Sequence, residues 1–160
     1  MVRRPRLAVE LPIHHVQLLN CEIRNAGSNA APPNNTNAIS AFGGSNYAFI
    51  GGSCHDGPSY CFYINGNNHL IDGMDIYNMG AYGIHNNESD GSKTIESMTF
   101  RNNRIHNTGG TFSGGIVVSA ANAAHNVKIY NNIIYDGPNE GIQLAGNDHN
   151  TQVYNNTMNS

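Results

Sequence analysis

Ile129-Tyr130-Asn131-Asn132-Ile133-Ile134-Tyr135-Asp136-Gly137 reads as a short strand, a two-residue polar turn, a second short strand and a closing Asp-Gly. Phe100-Arg101-Asn102-Asn103-Arg104-Ile105-His106-Asn107 repeats that grammar, and Val153-Tyr154-Asn155-Asn156-Thr157-Met158 begins it again. Segments starting at Leu18, Phe49 and Ile71 fit the same template. The six starts lie 31, 22, 29, 29 and 24 residues apart. An uneven period of roughly 20–30 residues with strand chemistry marks a stacked array, in which no repeat buries its apolar side alone.

Each repeat predicts three strands. The first alternates inward and outward, as in Val127-Lys128-Ile129-Tyr130. A turn of Asn or Gly follows: Asn131-Asn132, Asn102-Asn103, Asn155-Asn156 or Gly51-Gly52. Either Asn of each pair could be the inward one. The second strand carries one inward apolar residue, in the column Ile23, Cys54, Ile76, Ile105, Ile134, Met158. A polar turn then places Asn25, Asp56, Asn78, Asn107 or Asp136, residues that accept the left-handed backbone of a sharp corner. After a loop of variable length the third strand opens on Gly83-Ile84, Gly115-Ile116 or Gly141-Ile142. Stacking predicts three more inward columns. They are Leu18-Phe49-Ile71-Phe100-Ile129-Val153, Ile39-Phe62-Ile84-Ile116-Ile142 and Ala41-Ile64-Asn86-Val118-Leu144. With one coil per strand spacing of about 4.8 Å, five to six coils make a rod about 25–30 Å long.

On these residues, and above all on the V-x-I-x-N-N-x-I-x-D … G-I-x-L pattern of residues 127–144, the chain resembles the right-handed parallel β-helix, or pectate-lyase-like, superfamily of PbH1 repeats. The resemblance covers about residues 14–160. It implies an all-β, single-stranded solenoid of about 5–6 coils over residues 14–160, with residues 1–13 as a lead-in or partial coil. It also implies an extracellular or cell-surface location and a polysaccharide as partner. The fold by itself does not fix an activity. No end cap is legible at either terminus, so further coils of a parent chain are expected to cover them.

Composition narrows the classes. The chain has 160 residues, a net charge of −3 and only 12% charged residues. That argues for one domain and against a nucleic-acid binder, which shows a basic stripe. Arg3-Arg4-Pro5-Arg6 is the only basic run and reads as a solvated terminus. No apolar run is long enough to span a membrane, and no signal peptide is legible. The three cysteines, an odd number, do not describe a disulfide framework. Cys54 falls in an inward column, where a free thiol acts as a small hydrophobe. Packed free thiols at Cys21, Cys54 and Cys61 are the expectation; a Cys54–Cys61 bridge across one loop is the alternative.

In pectate-lyase-like families the substrate groove commonly runs along the outside of the strand that here carries the Gly-Ile steps. Its outward positions are Ser40, Tyr63, His85, Val117 and Gln143, with Phe42, Asn65, Asn87, Ser119 and Ala145 in the next row. None is a carboxylate, so the paired acids of a glycoside hydrolase are missing from it. Arg24, Arg101, Arg104 and Lys128 fall on other strands, and Lys93 lies in a loop. A metal-independent lyase remains open to the chemistry present. His85 would take the C5 proton of a uronic acid and Tyr63 would protonate the leaving oxygen. Asn65, Asn87 and Gln143 would hold carboxylate or hydroxyls, with Glu140 in a flanking loop and Tyr82 stacking on a sugar ring. The other reading is a non-catalytic structural or sugar-binding solenoid. No metal ligands are assigned; Asn86-Asn87-Glu88-Ser89-Asp90-Gly91 suits Ca²⁺ by residue type and an Asp-Gly turn equally well. His14, His125 and His149 share one place in the repeat, and His55 and His106 share another with Tyr77 between them.

Overall fold

The computed structural model describes residues 7–9, 14–27, 37–88, 95–110 and 113–159. Every strand pairing among them is parallel, and the strands fall on three faces. The first face stacks the opening halves of Gln17–Arg24 and Ala48–Gly57 with Leu70–Asp72, Thr99–Arg101, Lys128–Tyr130 and Gln152–Tyr154. The second stacks the closing halves of the same two strands with Asp75–Met79, Arg104–Thr108, Ile133–Tyr135 and Thr157–Asn159. The third runs Leu7–Val9, Ile39–Ala41, Phe62–Ile64, Ile84–Glu88, Ile116–His125 and Ile142–His149. The chain is thus a parallel β-solenoid, and the coils that begin at Gln17, Ala48, Leu70, Thr99, Lys128 and Gln152 are numbered one to six below.

The inward columns hold residue for residue. Phe49 pairs with Leu18 and Ile71, and Phe100 with Ile71 and Ile129. Cys54 pairs with Ile23 and Ile76, and Ile84 with Phe62 and Ile116. Phe49, Ile71, Phe100 and Ile129 are buried, as are Phe62, Ile84 and Ile116. Burying each such side chain is worth about 1.5–3 kcal/mol, which is what holds coil on coil.

The corners explain why the sequence is so rich in Asn. Each turn needs one left-handed residue per coil, and where Gly is not used the chain mostly supplies Asn. At the corner between faces one and two, Asn20, Asn102, Asn131 and Asn155 have φ of 52°, 56°, 57° and 54°, and Gly51 and Gly73 take the same place. At the next corner stand Asn25, Asp56, Asn78, Asn107 and Asp136; at the third, His15, Asn46, Asn68, Ser97, Asn126 and Asn150. In each Asn-Asn pair the first residue adopts the left-handed backbone and the second points inward. Asn103 and Asn132 are about 1% exposed. The Asn132 side chain donates to Phe100 O at 3.0 Å and Asn156 Oδ1 at 2.9 Å, and its Oδ1 accepts from Asn103 N at 3.0 Å. The inner Asn column thus satisfies corner backbone groups that would otherwise be buried without partners.

One expectation is overturned. Cys54 and Cys61 form a disulfide, and among the described residues only Cys21 is a free cysteine. Both cysteines are buried, and their Cα atoms lie 6.2 Å apart, within bridging range. Leu7–Val9, inside the segment read as a lead-in or partial coil, pairs with Ile39–Ala41. Arg3, Arg4, Arg6 and Lys93, with the Ser89-Asp90-Gly91 part of the oxygen-rich loop, lie outside the described residues.

Candidate functional site

On the third face, alternation sends Ser40, Tyr63, His85, Val117 and Gln143 outward in one register row. Around His85 this row becomes an aromatic cluster. The His85 ring meets Tyr63 edge-on at 4.9 Å, Tyr60 at 5.0 Å, and Tyr82 at a tilt at 5.6 Å. Tyr60 lies near-parallel to both Tyr63 and Tyr82, at 5.6 and 6.1 Å. Phe42 closes one side, edge-on to Tyr63. Tyr60 precedes Cys61 directly, so the disulfide anchors the loop that presents it. No sequence argument had singled Tyr60 out, because it stands in a loop before the strand and breaks the period-two pattern.

Burial among these rings pushes the His85 imidazole down to about 4, with a hydrogen bond to Asn87 opposing. His85 is therefore neutral over the ordinary pH range, and its Nδ1 has no hydrogen-bond partner in the protein. Tyr60 and Tyr82 are raised above the usual phenol range, chiefly by burial; Tyr63 and Tyr82 reinforce this for Tyr60, and Glu140 for Tyr82.

The polar candidates divide. Asn87 donates to the Tyr63 hydroxyl, and Gln143 accepts from the Tyr82 hydroxyl at 3.1 Å. Both belong to the cluster. Asn65 is buried; it accepts from Gly43 N at 2.6 Å and donates to Asn87 O at 3.0 Å, so it serves the backbone. Glu140 is exposed at the edge, beside Tyr82. His85, Tyr63, Tyr82, Asn87 and Gln143 thus come together.

A family model described as the right handed beta helix region matches residues 9–158. The chain belongs to the right-handed β-helix family. No curated protein and no solved structure matches it.

Elsewhere on this right-handed β-helix, outward side chains form columns that consume themselves. On the second face His55, Tyr77, His106 and Tyr135 stack almost parallel, at 4.5, 5.2 and 4.8 Å. Their faces press on one another, which leaves mainly edges for solvent. Carboxylates flank the ladder: Asp56 and Glu22 reach His55 at 2.8 and 3.2 Å, and Asp75 pairs with Arg104. Arg104, then burial in opposition, then His106 set the Asp75 carboxyl, which ends below its ordinary range. At the third corner His125 and His149 stack at 5.2 Å, as their shared place in the repeat predicts, and His14 stands at the far end of that column. Among the described residues no three His, Cys, Asp or Glu side chains gather as a metal site, and no helix is long and apolar enough to cross a membrane.

Proposed function

We propose that this β-helix is a carbohydrate-associated domain of a secreted polysaccharide-processing protein, and that its glycan lies on the third face around His85. The observation that supports this most is the gathering of Tyr60, Tyr63 and Tyr82 around a half-buried, neutral imidazole. Amphipathic rings give sugar C–H groups an apolar surface, and the amides of Asn87 and Gln143 stand where hydroxyls need partners. The buried Cys54–Cys61 bridge suits an oxidising compartment, which favours a secreted location. The test is calorimetric titration of the chain with a panel of soluble polysaccharides. Tyr60→Ala and Tyr63→Ala abolish the heat of the glycan that binds, while circular dichroism stays unchanged. A panel without heat on a folded chain overturns the reading.

A second reading rests on the same imidazole. A neutral imidazole beside a phenol has the parts of a base and an acid for β-elimination, with His85 removing the C5 proton of a uronate and Tyr63 protonating the leaving oxygen. Absorbance near 235 nm during incubation with uronic-acid polymers, with and without Ca²⁺, reads the unsaturated product. A rise that His85→Ala removes supports it; a flat trace leaves the binding function.

A further inference from the structure

The charges around the third face point to the kind of glycan. Among the described residues the cations lie elsewhere. Arg101 and Lys128 stand on first-face strands, Arg24 and Arg104 on second-face strands. Three of the four are also committed: Arg101 to Asp72, Arg104 to Asp75 and Arg24 to Glu22. The carboxylate exposed at this face is Glu140, beside Tyr82; Glu88, on a third-face strand, is buried. The one titratable base in the cluster, His85, is neutral above about pH 4. A uronate bound here would bring a negative charge every residue or two to a surface without a counter-charge among the described residues. An unpaired anion near a carboxylate and apolar rings is disfavoured by both repulsion and desolvation.

We infer that the third face of this β-helix takes an uncharged glycan rather than a uronic-acid polymer. This rests on the reading of that face as the glycan surface. Rings supply contact area and amides supply hydrogen bonds to hydroxyls; nothing in the set recognises a carboxylate. The β-elimination chemistry needs an acidic sugar, so this inference and the lyase reading exclude each other.

The experiment titrates the full chain at pH 7 and low salt with neutral polymers (xylan, β-glucan, galactan) and with polygalacturonate and alginate. The expected result is heat with at least one neutral polymer, none with the uronates, and loss of that heat in Tyr60→Ala. A Ser119→Lys variant, which adds a cation to the half-buried outward row, is expected to strengthen uronate binding on the order of threefold, the scale of one exposed ion pair. Uronate binding by the unaltered chain that weakens with salt and is lost in Tyr60→Ala overturns the neutral-glycan inference and leaves the surface standing. Binding of any polymer that survives both Tyr60→Ala and Tyr63→Ala overturns the surface itself, as does the absence of all binding.

Discussion

The Tyr82 hydroxyl donates to Gln143 Oε1 at 3.1 Å although a whole coil lies between them. Tyr82 belongs to coil three and Gln143 to coil five. Gly114, in coil four, makes the reach possible: a Cβ built there would stand 3.1 Å from Tyr82 Cε1 and 3.3 Å from Cδ1. The ring therefore lies along the stack, over a position with no side chain. Val117, outward-facing in the same coil four, is only 3% exposed. The third face is a packed aromatic layer with partly open rings, and its shape comes from this one missing side chain.

Gly114→Ala is expected to destabilise the chain by about 1–3 kcal/mol, the usual cost of overpacking. The new Cβ would stand 2.3 Å from Glu140 O, a backbone atom that cannot swing aside. Tyr82→Phe removes only the hydroxyl and costs about 0.5–1.5 kcal/mol. Urea unfolding of the three proteins checks the order; equal midpoints for Gly114→Ala and the unaltered chain would refute the close approach.

Acid weakens the fold from about pH 6.5 downward. Burial holds His85 and His69 below the ordinary imidazole range in the folded chain. The unfolded chain then binds protons that the folded one refuses, so stability falls as pH drops from about 6.5 toward the folded value, about 4 for His85. His69 has a structural reason to stay neutral, since its Nδ1 accepts from Tyr47 N at 3.2 Å and its Nε2 faces Asn65 O at 3.1 Å. Asp56, Asp75 and Glu96 are lowered, so their stabilising effect fades only in the carboxylate range below this window, and Asp148, raised, works in the opposite sense. Melting temperatures between pH 7 and pH 4.5 are expected to drop, and His85→Phe to flatten the drop. A flat profile for the unaltered chain would rule out the buried neutral imidazoles.

Strand order and register were legible because they depend on local periodicity. Ile129 forecasts its neighbours Phe100 and Val153 from the pattern alone, and the structure pairs them so. What was not legible depends on how loops close. Cys54 and Cys61 are separated by a stretch whose path no periodicity fixes, so their approach to 6.2 Å could only be an alternative. Tyr60 was missed for the same reason, and the bond from the Tyr82 hydroxyl to Gln143, two coils away, was not legible either. Asn65 shows the opposite failure. Its place in the outward row was read as availability, but backbone groups on both sides claim its amide.

Breaking the disulfide costs roughly 2.5 kcal/mol if loop entropy dominates, given the short sequence separation of 7 between the cysteines. The Cys54→Ala/Cys61→Ala variant leaves two small side chains in the core and is expected to unfold at lower denaturant by that amount or more. A thiol titration of the denatured, unreduced chain should find one reactive group, Cys21, rising to three after reduction. Three thiols without reductant would show that the bridge is absent.

The Asn-Asn corners make the final test, because their two residues do different work. Asn131 carries the left-handed backbone at φ 57°, and its side chain reaches only Asn102, at 3.4 Å. Asn131→Gly is therefore expected to be near neutral, and Asn131→Ala to cost about 1–2 kcal/mol from backbone strain. Asn132 is buried and closes bonds to both neighbouring coils, four and six. Asn132→Ala leaves Asn103 N and Phe100 O in the interior without these partners, at about 1–3 kcal/mol for each unsatisfied group. The loss at position 132 should clearly exceed that at 131 in denaturant unfolding, and Asn132→Asp should not restore it, since a carboxylate cannot donate to Phe100 O. Equal losses at the two positions would mean that the inner column fills space rather than bonding coil to coil.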